Sequence, residues 1–205
     1  MARRNLEGLR IVITGASQGI GKALALEAAK RGMRVVAAAR SADLLYDLAS
    51  EAKPGIKGSL ATVVADITEA SGRQAMLQCA INHFGGVDVL VNNAGIGATG
   101  HFAEGSAETL RKIMEVNYFG LAETTRIFIP ELKTSAHAAI VNISSIAGKR
   151  GIPARADYSA SKFAVQGFSN ALRAELAKDN IDVLVVCPGL TQTNFSKNMI
   201  EQKAK

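Results

Sequence analysis

Short runs of aliphatic and β-branched residues alternate along the chain with longer segments in which apolar residues recur every three or four positions. The short runs predict strands over residues 9–14, 33–39, 60–65, 87–91, 138–143 and 181–187. The longer segments predict helices over residues 18–31, 41–51, 69–84, 107–130 and 157–178. This alternation is typical of a doubly wound parallel sheet with helices on both faces, a three-layer α/β/α Rossmann fold. Because glycines fill the first strand-to-helix turn, the predicted strand order is 3-2-1-4-5-6.

Composition supports one globular domain over residues 1–205. Hydrophobic residues make up 48% of the 205 positions and charged residues 20%, and no repeat or linker interrupts the pattern. The chain has no Trp and few other aromatic residues, so the core must consist mainly of small aliphatic side chains.

The formal charge of +6 changes this interpretation little. The basic residues form no long run and alternate with no aromatic platform, so we expect an anionic cofactor rather than a nucleic-acid partner. No segment is apolar over a membrane-spanning length, and Cys79 and Cys187 are too few for a disulfide framework. We therefore predict a cytoplasmic protein without a membrane span and without a metal site.

The first candidate site is the glycine turn at residues 14–21. Gly15 would allow a sharp turn, Gly19 would let the backbone approach a diphosphate at a helix N-terminus, and Gly21 would permit close helix–strand contact. The spacing is G-x-x-x-G-x-G, and glycines collect in turns anyway. The position between a strand and a helix is what favours dinucleotide binding.

The end of the second strand suggests which dinucleotide binds. An acidic residue there would bind the ribose hydroxyls of NAD, but the chain has Arg40 followed by Ser41. Arg40 can pair with the 2′-phosphate of NADP, so NADP(H) is preferred and NAD(H) remains possible. Asp66 would accept a hydrogen bond from adenine or cap the next helix, and Asn92 is as well suited to a structural role as to ligand contact.

Tyr158 and Lys162 lie four residues apart and therefore share one helix face. A nearby ammonium group would lower the pKa of the tyrosine toward neutrality, as general acid/base chemistry requires. Ser145, at the end of the fifth strand, could stabilise a developing oxyanion, with Ser144 as its competitor. Asn117 lies inside a predicted helix, where it could hold a water next to Lys162 or simply face solvent.

These motifs occur together and in order, and jointly they resemble the single-domain short-chain dehydrogenase/reductase family over about residues 8 to 195. The shared positions are Thr14-Gly15-x-x-x-Gly19-Ile20-Gly21, Asn92-Asn93-Ala94-Gly95, Asn117, Ser145, Tyr158-x-x-x-Lys162 and Pro188-Gly189. The resemblance implies an NADP(H)-dependent oxidoreductase that interconverts a carbonyl and an alcohol. It implies four catalytic residues: Asn117, Ser145, Tyr158 and Lys162. Ser145 lies thirteen residues before Tyr158, as in the family, which favours it over Ser144.

The resemblance also implies a cofactor-binding set. This set comprises Gly15, Ser17, Gly19, Ile20, Gly21, Arg40, Ser41, Asp66, Ile67, Asn93, Ala94, Gly95, Tyr158, Lys162, Pro188, Gly189, Thr191 and Thr193. Within it, Asn93 would lie beside the adenosine ribose and Thr193 near the diphosphate. The substrate would be a small carbonyl or alcohol compound, and the segment 144–155 and the region of Phe195 resemble family members acting on bulky hydrophobic carbonyls.

Two further expectations concern the C-terminal part and assembly. Family members continue through a helical lid and a seventh strand, both of which the chain would lack. That would leave an exposed nicotinamide face and a second interpretation, a catalytically weak or idle NADP(H)-binding sensor or scaffold. The helices at 107–130 and 157–178 would form a homodimer interface, or part of a homotetramer.

Overall fold

Six parallel strands form the central sheet in the computed structural model, which describes residues 5–52 and 56–201. They are β1 (Arg10–Thr14), β2 (Arg34–Ala39), β3 (Ser59–Val64), β4 (Val89–Asn92), β6 (Ala139–Ile143) and β7 (Asp182–Val186). Two shorter strands, β5 (Ala98–Thr99) and β8 (Ile200–Glu201), form a separate parallel pair. The order of the main sheet is β3-β2-β1-β4-β6-β7, which confirms the predicted topology. The winding reverses between β1 and β4, so the carboxyl ends of these two strands border the same crevice.

Helices cover both faces of this sheet. The helices α1 (Gly19–Lys30) and α2 (Ala42–Ala52) pack on one face. The other face carries α3 (Ala70–Phe84), α5 (Gly120–Leu132) and α6 (Ala156–Leu176). Alternate residues of β1 face opposite sides of the sheet. Val12 packs in the hydrophobic core under α3, α5 and α6, whereas its neighbours Ile11 and Ile13 pack in the core under α1 and α2. None of the described helices is both long and apolar enough to cross a bilayer.

The helix predicted over 107–130 is interrupted. It consists of α4 (Ala107–Met114), a π-helical turn (Glu115–Phe119) and α5. The wide turn contains the buried Asn117, whose side-chain amide pairs with the backbone of Ile96. Hydrophobic periodicity did not reveal the π-helical turn, because the chain stays helical from α4 through the turn into α5. The pair β5 and β8 was also missed, because two residues are too few for a recognisable alternation.

An ion pair joins the amino ends of β1 and β4. The Asp88 carboxylate accepts hydrogen bonds from the Arg10 side chain at 2.9 Å (Nε) and 2.7 Å (Nη2), and from the Arg10 backbone N–H at 2.8 Å. Ser135 donates a further bond at 2.6 Å. Burial acts to raise the pKa of Asp88, but these hydrogen bonds outweigh it and lower the pKa to about 2. The three Arg10 donors thus hold the two central strands together at the end opposite the crevice.

Replacing Asp88 by Asn should lower the free energy of unfolding by about 1–3 kcal/mol at neutral pH, because the Arg10 guanidinium loses its charged partner. The pKa of Asp88 is lowered on folding from 3.8 to about 2, so its contribution is complete above pH 3.8 and is lost as the pH falls toward 2. Denaturant titrations between these pH values should therefore show a weaker pH dependence for Asp88→Asn than for the parent. Asp47→Asn, on the exposed side of α2, is the control and should retain the parental pH dependence.

Candidate active site

One cavity of about 380 Å³ opens at the carboxyl ends of the parallel strands, where α/β sheets bind their ligands. With two exceptions, all the predicted site residues line it. The exceptions are Gly21 and Asn117, which lie directly behind the lining. The fold therefore brings together residues that are separated by up to 178 positions in the chain, from Gly15 to Thr193.

The glycine turn forms one end of this cavity. Gly15 and Gly19 adopt left-handed backbone angles, with φ of 64° and 58°, which side chains rarely tolerate. A Cβ on Gly15 would lie 2.7 Å from the Ala94 Cα, so only glycine allows the turn to approach the loop after β4. A Cβ on Gly19 would lie 3.4 Å from the Thr193 side chain, which places Thr193 beside the expected diphosphate position.

Asn93 fixes this approach from the other side. Its amide donates to the carbonyl oxygens of Thr14 at 2.9 Å and Gly15 at 3.1 Å. The Thr14 hydroxyl in turn accepts the backbone N–H groups of Asn93 and Ala94, both at 3.0 Å. The Asn93 side chain, expected beside the adenosine ribose, thus uses its donors to brace the glycine turn.

The neighbouring Asn92 has a structural role, one of the two possibilities left open. It is buried, and its amide donates to Thr125 and to Asn142, each at 2.9 Å. Asn142 continues the chain of hydrogen bonds to Ser169 at 2.9 Å. This network ties β4 and β6 to the helices behind them.

Arg40 and Asp66 meet beyond the glycine turn, at the ends of β2 and β3. Arg40 Nη1 lies 3.7 Å from an Asp66 carboxylate oxygen, and the Arg40 side chain is 68% exposed. Asp66 also accepts the backbone N–H and hydroxyl of Thr68, at 2.9 and 2.8 Å. Burial acts to raise the pKa of Asp66, yet the Thr68 bonds and the Arg40 charge lower it. The alternative role of Asp66 as cap of the next helix is wrong, because Glu69 occupies that position and Asp66 closes the preceding turn.

At the opposite end, β6 and α6 bring Ser145 and Tyr158 together. Ser145 is close enough to act on the pKa of Tyr158, which it acts to lower. The Ser145 hydroxyl accepts the backbone N–H of Ala147 at 3.1 Å. Ser144 points elsewhere, since its buried hydroxyl donates to the Lys162 carbonyl oxygen at 3.1 Å. Of the two candidate serines, Ser145 is the one that faces the tyrosine.

Tyr158 and Lys162 lie on the same buried face of α6, as their spacing predicts. Lys162 Nζ donates to the Ile143 carbonyl oxygen at 2.9 Å and lies 5.8 Å from the centre of the tyrosine ring. Burial lowers the pKa of Lys162 to about 8, and only the nearby Cys187 acts against it.

The pKa of Tyr158 shifts in the opposite direction to the one predicted. Burial raises it above 10.0, although the Ser145 hydrogen bond and the Arg155 charge act to lower it. The prediction failed because it considered charge alone, whereas the ring is only 7% exposed and Lys162 directs its ammonium group to a backbone oxygen. Among these protein groups the phenol therefore keeps its proton at neutral pH.

Asn117 is fully buried, so the possibility that it faces solvent is wrong. Its carbonyl oxygen accepts the Ile96 N–H at 2.8 Å, while its amide donates to Ile96 O and to Ser161, each at 2.9 Å. A Cβ on Gly95 would lie 3.2 Å from Asn117 Oδ1 and 3.5 Å from Lys162 Nζ. The two predicted residues thus border the same glycine, although no direct hydrogen bond joins them.

The segment after β7 folds back over this end of the cavity. The Phe195 ring centre lies 5.8 Å from that of Tyr158, and β8 holds the segment by pairing with β5. A Cβ on Gly97 would lie 3.0 Å from both Phe195 and Met199, so glycine makes room for these side chains. The expectation of an exposed nicotinamide face thus does not hold at Tyr158, which residues 190–201 cover in part.

Several lining residues lie outside the predicted catalytic and cofactor-binding sets. They are mostly apolar, and they include Leu44, Ile96, Val116, Ile146, Ile152, Leu190 and Met199, together with the charged Arg155. Arg155 was detectable, because it precedes Tyr158 by three residues, which is about one helical turn. The apolar residues carry no sequence signal that separates them from the core.

The residues present fit a dinucleotide better than a metal ion. Two left-handed glycines leave a side-chain-free surface at the start of α1, where backbone N–H groups favour a diphosphate. In the parts of the chain that the structure describes, no three His, Cys, Asp or Glu side chains are arranged to hold a metal.

Comparison with known proteins agrees with this geometry. The family profile described as short chain dehydrogenase matches residues 10–204. The chain belongs to this family. Among curated relatives, the Dehydrogenase/reductase SDR family member 7B of Bos taurus is 38% identical over 199 residues. That alignment covers 93% of this chain and 60% of the bovine protein, so the chain spans less than two thirds of that relative's length.

Solved structures of family members superpose closely. A short chain dehydrogenase/reductase from Burkholderia phymatum in complex with NAD gives a TM-score of 0.91 at 31% identity, covering 96% of this chain and 70% of that one. An alcohol dehydrogenase from the archaeon Thermococcus sibiricus complexed with 5-hydroxy-NADP gives 0.87 at 29% identity, covering 95% and 81%. The family fold is therefore present over nearly all of the chain.

Replacing Gly21 by Ala should destabilise the protein by about 1–3 kcal/mol, because the new Cβ would overlap the Gly15 carbonyl oxygen and the Asn93 amide. Gly167 in α6 is the matched control, since nothing lies within 4 Å of its Cβ position. Gly167→Ala should stabilise the helix by about 0.5–1 kcal/mol. Urea denaturation measures both values, and equal stabilities for Gly21→Ala and the parent would contradict the close contact.

Proposed function

We propose that the protein is an NADP(H)-dependent oxidoreductase that interconverts a carbonyl and an alcohol, with Tyr158 as general acid and base. The supporting observation is the grouping of Ser145, Tyr158 and Lys162 at one end of a cavity whose other end is the glycine turn. Family membership and the cofactors named with the Burkholderia and Thermococcus structures support a nicotinamide dinucleotide as the ligand. The nicotinamide would supply or accept the hydride.

The catalytic residues would divide the remaining work. Tyr158 would donate its proton to the carbonyl oxygen in reduction and remove it from the alcohol in oxidation. Burial raises the pKa of Tyr158 and so favours its protonated hydroxyl, the form that donates a proton in reduction. Ser145, which lines the cavity with the tyrosine, would hold the substrate oxygen next to it.

Lys162 and Asn117 would support the proton transfer from behind. The positive charge of Lys162 would stabilise the phenolate that remains after proton donation. Asn117 would hold a relay water through an oxygen that already accepts one backbone hydrogen bond, since a carbonyl oxygen has two lone pairs.

The cofactor would bind along the lining residues from the glycine turn to Tyr158. The backbone of Ser17, Gly19 and Ile20 would contact the diphosphate, and Ile67, Ala94 and Gly95 would enclose the adenosine. Ser41 would stand beside Arg40 at the ribose phosphate. Pro188, Gly189 and Thr191 would flank the nicotinamide.

We also propose that the protein self-associates through the helical surfaces around α4, α5 and α6. Phe119 and Phe163 support this, since they are 50% and 45% exposed on these elements. A dimer would cover them.

Replacing Tyr158 by Phe should lower kcat/KM for carbonyl reduction by at least about 100-fold, because the proton donor is lost. NADPH consumption across a panel of ketones and aldehydes measures this effect. Tyr46→Phe removes a hydroxyl from a side chain that is 73% exposed and should leave the rate unchanged.

Thermal shifts with NADPH keep binding separate from catalysis in these variants. Tyr158→Phe should still gain stability from NADPH. An equal rate of consumption in Tyr158→Phe and the parent would exclude the mechanism. Binding of NADPH by the parent without consumption of any carbonyl would favour the sensor or scaffold interpretation.

Replacing Arg40 by Asp should raise the KM for NADPH by about tenfold or more, since a charged hydrogen bond to the 2′-phosphate becomes a repulsion. The same change should improve the use of NADH. Arg34→Asp, at the other end of β2, changes the net charge equally and should alter neither KM. An unchanged cofactor preference in Arg40→Asp would remove Arg40 from the site.

A further inference from the structure

Arg155 lies at the Tyr158 end of the cavity and has no role in the reaction proposed above. It occupies the residue before the first turn of α6 and lines the cavity together with Tyr158. Its charge reaches the tyrosine, since it is one of the groups that act on the pKa of Tyr158. Arg155 therefore faces the region where a substrate carbonyl would bind.

The backbone around Arg155 is firmly held. Its N–H bonds to Ile152 O at 3.1 Å, and its carbonyl oxygen accepts the Ser159 N–H at 2.8 Å. The preceding Ala154 has a left-handed φ of 58°, and its carbonyl oxygen accepts the Gly100 N–H at 2.9 Å. A left-handed non-glycine residue is costly unless its surroundings fix it, so the backbone that carries Arg155 is held in place.

The surroundings of Arg155 offer it little compensation for its charge. Side chains at this end of the cavity are mainly apolar, among them Ile146, Ile152, Phe195 and Met199. Among the described residues that line the cavity, Asp66 is the one carboxylate, and it is paired with Arg40 after β3. A half-buried arginine beside apolar side chains favours an anion that binds there.

We propose that Arg155 binds an anionic group, a carboxylate or a phosphate, on a carbonyl substrate whose remaining surface is apolar. This inference rests on the proposed function and names the class of its substrate. The guanidinium would bind two anionic oxygens side by side, while the apolar lining holds the body of the substrate and Tyr158 faces the carbonyl. Arg155 would thus determine specificity rather than transfer the proton.

The test compares matched substrates that differ only in charge, with NADPH consumption as the measurement. One arm uses aliphatic oxo acids of graded carbonyl-to-carboxylate spacing and their methyl esters. The other uses a hydroxyketone phosphate and the same hydroxyketone without phosphate. The parent should prefer the anionic member of one arm by about 10- to 100-fold in kcat/KM, the value of a charged hydrogen bond. The arm that shows the preference identifies the anion as carboxylate or phosphate.

Arg155→Gln should abolish this preference and keep the parental rate with the neutral substrate, while Arg155→Lys should restore part of it. Arg150→Gln is the matched control, because Arg150 is an exposed arginine of the same segment outside the cavity lining. The thermal shift produced by NADPH should be the same in all these variants, which verifies folding and cofactor binding.

Three results would overturn the inference. Equal rates with the anionic and the neutral substrate in the parent would exclude anion binding by Arg155 and leave the proposed oxidoreductase function intact. Equal losses with both partners in Arg155→Gln, together with a shifted pH profile of kcat, would mean that Arg155 acts on Tyr158 instead. Failure of the parent to reduce any carbonyl while it binds NADPH would overturn the proposed function, and the inference with it.

Discussion

The contact between the turn after β1 and the loop after β4 is the constraint on which the site depends. Thr14 and Asn93 join the two segments by four hydrogen bonds, and the absence of side chains at Gly15 and Gly21 lets their backbones meet. At the opposite end of the same strands, Arg10 and Asp88 hold the sheet together. Because β1 and β4 are held together at both ends, the backbone that borders the crevice at their carboxyl ends is fixed in position.

The charges at this crevice are arranged by burial as much as by pairing. Lys162 is a buried cation held by one backbone oxygen, and its lowered pKa reflects the free-energy cost of that position. Proteins retain such costs mainly where chemistry requires them. Arg40 and Asp66 form an ion pair after β2 and β3, whereas Arg155 lines the apolar end of the cavity together with Tyr158. The cavity thus has two cationic side chains, Lys162 and Arg155, at the end with Tyr158. At the other end it has the ion pair of Arg40 and Asp66.

Sequence alone determined the strand order, the α/β architecture and about half of the residues that line the cavity. Periodicity is enough for the fold because buried parallel strands and amphipathic helices need different spacings of apolar residues. The glycine turn and the Tyr158–Lys162 pair were found because their function depends on local spacing along one turn or one helix. The parallel arrangement then brings the strand ends together, so residues from distant motifs meet without further information.

Only the tertiary structure decided what depends on surroundings rather than spacing. Burial sets the direction of the pKa of Tyr158, and no local pattern gives the depth of a ring below the surface. The bond from Ser144 to the Lys162 carbonyl oxygen follows from how β6 faces α6, and the bracing by Asn93 follows from the distance between two loops. The π-helical turn at Asn117 and the pairing of β5 with β8 likewise involve long-range hydrogen bonds. The sequence of a short segment does not indicate such bonds. Contacts between residues far apart in the chain therefore fix the chemistry within a fold that local spacing already specifies.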